Sequence, residues 1–193
     1  MNNRSRILTA LAALLLLLLF FLPLWKISLI APQYPDGLSM YLYINDIKDG
    51  HPGDIDNINI MNHYVGMRSI HAEDFKEFTY FPIVVVTMCA LGLLAAFSAN
   101  RKIIFIWVVL LAVAGTLGIY DFYLWEYDYG HNLSDEAPIK VPGQAYQPPL
   151  IGSKMLLNFN AISYPYYGAI FIGIPLICSF LSFYLKRKWT AKS

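Results

Sequence analysis

Residues 103–124 read IIFIWVVLLAVAGTLGIYDFYL, and this stretch decides the class of the protein. It contains a single charged side chain, Asp121, close to its end. A helix needs about 20 apolar residues to cross a hydrocarbon core of ~30 Å, so the stretch predicts a transmembrane helix. The next residues contain no helix breaker before Gly130. We therefore expect the helix to continue beyond the membrane, with Asp121, Trp125 and Asp128 on one stripe.

Three other apolar runs predict transmembrane helices, over residues 7–30, 81–98 and 164–185. The composition agrees, because the 193-residue chain is 57% hydrophobic and 14% charged, whereas soluble domains are about 25% charged. The first run begins like a signal peptide but is longer than the roughly 7–15 apolar residues of one. We expect an uncleaved anchor, with Trp25 and Lys26 at the outer membrane interface.

Small residues four apart let helix backbones approach closely in a membrane. Gly92 with Ala96, and Ala114 with Gly118, form such pairs and predict helix contacts in the second and third spans. Pro175 predicts a kink in the fourth. The predicted spans hold almost no ionisable residue, which argues against a transporter or proton pump, because these usually carry charges near the membrane midplane.

The basic residues predict the orientation, because Lys and Arg near the ends of spans mark the cytoplasmic side. The termini and the short connection near residue 100 contain no acid, and their basic residues are Arg4, Arg6, Arg101, Lys102, Lys186, Arg187, Lys188 and Lys192. All 13 acidic residues and all 4 histidines lie in or beside the other two connections, 31–80 and 125–163. This pattern predicts a multi-pass membrane protein with both termini in the cytoplasm. Its charge pattern indicates no nucleic-acid surface.

The two outer connections are rich in Tyr, Pro, Gly and Asn, with apolar residues at intervals, which predicts folded caps rather than disordered loops. Residues 38–44 alternate well enough for a short strand, and residues 54–65 follow a turn and predict a short helix. Several prolines predict an extended path in the second connection. The predicted fold is an all-α integral membrane protein, a single membrane domain over residues 1–193. It has four transmembrane helices and two ordered extracytoplasmic caps, with a short β element in the first.

The most suggestive metal-ligand spacing is Met61-x-His63, followed by Met67 and His71. Thioether sulfur and imidazole together suit copper, Cu(I) in particular. On a helix, His63 and Met67 share a face. The alternative is that both methionines are core residues of the cap and that both histidines make ordinary hydrogen bonds.

A second cluster follows the third predicted span and contains Asp121, Glu126, Asp128 and His131. His131 and Asp128 are weaker metal candidates, and a carboxylate here has the chemistry to handle protons. The alternative is a solvated helix end whose acids pair with Arg68, Lys140 or Lys154. No phosphate-binding glycine loop or nucleophile elbow occurs in the sequence, so an enzyme is the less favoured class.

Three stretches resemble a NosB-like family of bacterial multi-spanning membrane proteins: residues 62–67 (NHYVGM), 125–132 (WEYDYGHN) and 146–152 (YQPPLIG). The family is associated with nitrous oxide reductase gene clusters of Bacteroidetes-type bacteria. The resemblance implies a place beside an extracytoplasmic copper enzyme and so a reason to hold Met and His outside the membrane. It implies no catalytic residue.

The leading hypothesis is a membrane-anchored accessory protein that supports an extracytoplasmic copper enzyme, expected to be nitrous oxide reductase, by maturation, copper supply or tethering. Its partners would be the lipid bilayer and a periplasmic or membrane protein, and its cofactor, if any, copper. A second hypothesis is a membrane subunit that links quinol to a periplasmic electron acceptor. A third is a metal-free structural subunit of a membrane complex.

Overall fold

The structure is a computed structural model that describes residues 3–98 and 100–190, with side chains for residues 5–98 and 100–178. Five helices and five strands follow one another along the chain: α1 (Asn3–Leu15), β1 (Trp25–Ala31), β2 (Tyr34–Leu42), β3 (Ile47–Asp49), α2 (Asp54–Val65), α3 (Glu77–Ser98), α4 (Arg101–His131), β4 (Gly152–Leu156), β5 (Phe159–Pro165) and α5 (Tyr167–Thr190). Short 3-10 turns cover Leu16–Phe20 and Ala72–Asp74. Lys192 and the side chains of Arg4, Lys186, Arg187 and Lys188, from the predicted cytoplasmic set, lie outside the described part.

A five-stranded antiparallel sheet corrects the prediction of an all-α fold. Its strand order is β3-β2-β1-β5-β4, so the sheet joins strands from both predicted caps. β1 lies at the centre, where Ile27 is opposite Met40 of β2 and Ser163 of β5. The predicted strand over residues 38–44 overlaps β2, which begins earlier, at Tyr34, and ends at Leu42.

The first predicted span is too long, because the helical part of residues 7–30 ends at Phe20. Pro23 lacks a backbone N–H and disfavours helical geometry at the residue before it. From Trp25 onward, alternate residues are buried, as expected for a strand with one face on a core. Trp25 and Lys26 are therefore residues of β1 and not the end of a transmembrane helix. The Lys26 ammonium lies 5.3 Å from the centroid of the Tyr41 ring on the neighbouring strand.

α2 and the last turns of α4 pack on one face of the sheet, and together with it they form the cap. The core of the cap includes Ile27 and Leu29 of β1, Ile58 of α2 and Tyr129 of α4. α2 has the predicted bounds and is preceded and followed by left-handed residues, Gly53 and Gly66.

The buried Asp54 carboxylate accepts hydrogen bonds from the backbone N–H groups of Ser39 and His51, both at 2.9 Å. Because Ser39 belongs to β2 and Asp54 opens α2, this carboxylate holds the helix to the sheet.

Two helices, α3 and α4, are long and apolar enough to cross a membrane. Among the described residues, the apolar helical stretches Ser5–Phe20 and Tyr167–Cys178 are shorter. Among the described residues, two of the four predicted spans are thus candidates to cross a membrane, and the prediction of four transmembrane helices is not confirmed. α4 continues past residue 124 to His131, as predicted, and delivers its last turns to the cap.

The ends of the helices distant from the sheet are closely packed. A Cβ atom added at Gly92 of α3 would lie 2.6 Å from Cζ2 of Trp107 and 2.7 Å from Cβ of Ala13. The Trp107 indole N–H donates a 2.8 Å hydrogen bond to the Met88 carbonyl. The contact predicted at Gly92 and Ala96 is confirmed, since both residues are buried.

Candidate functional site

A cavity of about 1060 Å³ separates the helices at their ends next to the sheet. We call it the large cavity. Its walls are largely apolar and come from the 3-10 turn after α1, from α3, α4 and α5, with side chains that include Leu16, Val85, Met88, Leu111, Ile172 and Leu176.

Small residues enlarge the large cavity. Ala114 and Gly118, predicted to make a helix contact, line it instead. A Cβ atom added at Gly118 of α4 or Gly173 of α5 would meet no heavy atom within 4 Å. The small side chains here therefore leave open space, whereas Gly92 at the other end of the bundle permits close packing.

Aromatic side chains line the end of the large cavity next to the cap. The Trp125 ring lies 5.7 Å from Phe122 in a stacked arrangement, 5.3 Å from Phe75 and 4.8 Å from Tyr129, measured between ring centroids. Phe75 also packs against Phe78, at 5.3 Å. These five rings form what we call the aromatic cluster. They are contributed by the segment before α3, by the start of α3 and by α4.

Carboxylates lie beside the aromatic cluster. Asp74, Glu77, Asp121 and Asp128 all line the large cavity, with Arg68 as its basic residue. Arg68 forms an ion pair with Asp128, and its guanidinium group lies 4.8 Å from the Tyr129 ring centroid.

The other three carboxylates have no basic partner among the described residues, and Glu77 and Asp121 are close enough to interact electrostatically. The Tyr80 hydroxyl donates a 3.2 Å hydrogen bond to Glu77 Oε1. The cap end of the large cavity is therefore both aromatic and net negative.

A second cavity, of about 40 Å³, lies inside the cap on the other side of Trp125 and Tyr129, which line both cavities. We call it the small cavity. Glu126 lines it and is 0% exposed. Among the described residues neither Glu126 carboxyl oxygen has a hydrogen-bond partner, and the same holds for the Tyr146 hydroxyl on this cavity.

Burial raises the pKa of Glu126 from 4.5 to about 8, because a low-dielectric environment disfavours the charged form. We therefore expect Glu126 to be mostly protonated at pH 7. The volume of the small cavity is sufficient for one water molecule.

The structure places the predicted copper ligands in two kinds of surroundings. Met61 and Met67 pack against the core of the cap, whereas His63 and His71 are exposed. Met67 also lines the small cavity, with Met40. Over residues 3–98 and 100–190, no three His, Cys, Asp or Glu side chains are grouped closely enough to hold a metal ion.

The weaker metal candidates have other contacts. His131 stacks on Tyr127 with ring centroids 3.9 Å apart, and its Nδ1 lies 2.9 Å from the Tyr127 carbonyl oxygen. Asp128 pairs with Arg68, which is the alternative that the sequence left open. Asp121 and Glu126, from the same predicted cluster, face different cavities.

Sequence reasoning missed Asp74, Glu77 and Tyr146 as site residues. Asp74 and Glu77 precede an apolar helix, and acids in that position are ordinarily explained by the helix dipole. Tyr146 is distant in sequence from Glu126, and a hydrogen bond from its backbone N–H to the Gly130 carbonyl, at 2.8 Å, places it there.

Comparison with protein-family models, with characterised proteins and with solved structures finds no match to this chain. The case for a function therefore depends on the two cavities and on the surface of the cap.

Proposed function

We propose that this protein is a multi-pass accessory protein of the bacterial cytoplasmic membrane that holds a lipid-soluble amphipathic molecule in the large cavity. Both termini would lie in the cytoplasm, and the cap would face an extracytoplasmic partner. The two long apolar helices support membrane insertion, and the one-sided distribution of basic and acidic residues supports the orientation.

The large cavity is the observation that carries the proposal. Its volume of about 1060 Å³ is at the upper end of the roughly 300–1,000 Å³ typical of small-molecule sites. Apolar walls suit a hydrocarbon tail, and the polar groups are confined to the end next to the cap. A molecule with one apolar and one polar end therefore matches the cavity in a single orientation.

The first experiment asks whether the purified protein carries such a molecule. We expect native mass spectrometry and solvent extraction of the full chain to show a bound hydrophobic molecule near one per protein. The pair Gly118→Leu and Gly173→Leu should fill the cavity without clashes, because both Cβ positions are open, and should remove the molecule.

Ala90→Leu is the matched control, because Ala90 is exposed on α3 and does not line the large cavity. It should retain the bound molecule at the wild-type level. A wild-type protein without any bound hydrophobic molecule, or a cavity-filled variant that retains it in full, would overturn the proposal.

Support of an extracytoplasmic copper enzyme, such as nitrous oxide reductase, is a second and compatible proposal. It is favoured by the exposure of His63 and His71 on the cap and by the family resemblance. Metal analysis of the protein purified from native membranes tests it, with the His63→Ala and Met67→Leu double variant as comparison. Absence of retained copper, together with unchanged nitrous oxide reduction in the double variant, would exclude the copper-supply version.

A further inference from the structure

The aromatic cluster gives the large cavity a place for a planar ring. Phe75, Phe122, Trp125 and Tyr129 lie within 4.8–6.1 Å of one another where their contacts are measured, and all four line the cavity. Aromatic rings prefer offset-stacked or edge-to-face contacts at such spacings. A flat ring at the polar end of a ligand could stack on these surfaces.

The carboxylates beside the cluster favour a ring that donates hydrogen bonds and carries no negative charge. Asp74, Glu77 and Asp121 line the cavity and have no basic partner among the described residues. A carboxylate accepts hydrogen bonds, and bonds from a hydroxyl to it are among the stronger ones in proteins. Phosphate would be repelled, and a carbonyl oxygen would face another acceptor. A ring that carries hydroxyl groups is the complementary partner.

The apolar part of the cavity fits a tail. It extends along α4 from Leu111 to Asp121, which is about 15 Å at 1.5 Å per residue. One helical turn below Leu111, Trp107 closes the bundle against Gly92. The tail would thus lie along the helices with its ring next to the cap.

We propose, building on the function proposed above, that the bound molecule is a membrane quinol, a dihydroxy-aromatic ring on a polyisoprenoid tail. The ring stacks in the aromatic cluster and its hydroxyl groups donate to Glu77 and Asp121. The site binds the reduced form more tightly than the oxidised form, because only the reduced form carries hydroxyl donors.

The test uses the full chain in nanodiscs and a short-tailed probe, decylubiquinol, compared with its quinone form under anaerobic titration calorimetry. We expect the quinol to bind at least about ten-fold more tightly than the quinone, the difference expected for one charge-assisted hydrogen bond. The double variant Glu77→Gln and Asp121→Asn should lower quinol affinity about ten-fold and leave quinone affinity unchanged. Asp36→Asn, an exposed substitution on β2, is the control and should change neither.

Equal affinity for the two redox forms, or quinol affinity that the double variant does not change, would overturn the quinol inference. If the purified protein instead carries a phospholipid that only cavity filling removes, the quinol inference fails and the proposed function stands. If neither probe binds and no hydrophobic molecule is retained, both fail.

Trp125→Phe provides a second check, because it keeps an aromatic ring and should retain most of the quinol affinity, whereas Trp125→Leu should not.

Discussion

The large and small cavities share Trp125 and Tyr129 as a common wall, yet the carboxyl groups that line them differ in exposure. In the large cavity, Glu77 and Asp121 are partly exposed. In the small cavity, Glu126 is fully buried and neither of its oxygens has a partner among the described residues. A carboxyl group is thus accessible as a hydrogen-bond acceptor on one side of the wall, whereas burial on the other side favours the neutral acid.

This difference follows from the position of the side chains on one helix. Asp121 and Glu126 are five residues apart on α4, a spacing that places side chains on different faces. Asp121 lines the large cavity, and Glu126 lines the small one within the cap. We therefore expect the large cavity to hold a ligand and the small cavity to make the cap sensitive to pH.

The largest effect that we predict concerns Glu126 and pH. The folded-state pKa of about 8 lies above the unfolded value of 4.5, so the folded protein binds this proton more tightly. The contribution of Glu126 to the free energy of unfolding should be largest below pH 4.5, should fall as the pH rises from about 4.5 to 8, and should then be constant. The loss amounts to roughly 5 kcal/mol at 1.36 kcal/mol per pKa unit.

Thermal unfolding of the full chain in detergent between pH 5 and pH 9 measures this loss. Glu126→Gln keeps the shape of the neutral acid and should flatten the dependence and raise the unfolding midpoint at pH 8. Asp128→Asn is the control on the same helix, because Asp128 is exposed and paired with Arg68, and it should leave the slope unchanged. A Glu126→Gln variant with the wild-type slope would show that Glu126 is ionised in the fold.

A smaller effect is expected from the same substitution at two glycines of α4. A Cβ atom at Gly130 would lie 2.3 Å from the Gln147 backbone nitrogen and 2.4 Å from its Cα. Gly130→Ala should therefore push the residue 144–148 segment away from the small cavity and lower the free energy of unfolding by about 2–3 kcal/mol. Gly118→Ala, in the large cavity, meets no atom within 4 Å and should change it by no more than about 1 kcal/mol. Chemical or thermal denaturation in one detergent compares the two, and equal effects would contradict the assigned packing.

The sequence predicted the helices better than the sheet. The bounds of α2 and the continuation of α4 to His131 follow from local signals, because capping turns and the absence of breakers are local properties. The sheet depends on pairing between residues far apart in sequence, such as Ile27 with Ser163. The apolar character of residues 25–30 matched both a transmembrane helix and a buried strand, and Pro23 was the signal that separated them.

Neither cavity could be predicted from the sequence. Ala114 and Gly118 have the same spacing as Gly92 and Ala96, yet only the second pair lies at a close helix contact. The difference depends on tertiary packing. Likewise, the spacing of His63 and Met67 predicted a shared helix face, whereas Met67 lies beyond the end of α2 and packs on the core and His63 is exposed.

The smallest predicted effect separates two tyrosines on the small cavity. The Tyr146 hydroxyl is buried without a hydrogen-bond partner among the described residues, so Tyr146→Phe should leave the free energy of unfolding unchanged or raise it by up to about 1 kcal/mol. The Tyr129 hydroxyl donates a 3.2 Å hydrogen bond to the Ser69 carbonyl, so Tyr129→Phe should lower it by about 1 kcal/mol. Denaturation of both variants at pH 6 measures these changes. At this pH we expect Glu126 to be protonated in the folded state, so its titration should not contribute to the difference between the variants. If Tyr146→Phe is the more damaging of the two, the Tyr146 hydroxyl has a partner, and that partner is the Glu126 carboxyl group or a water molecule in the small cavity.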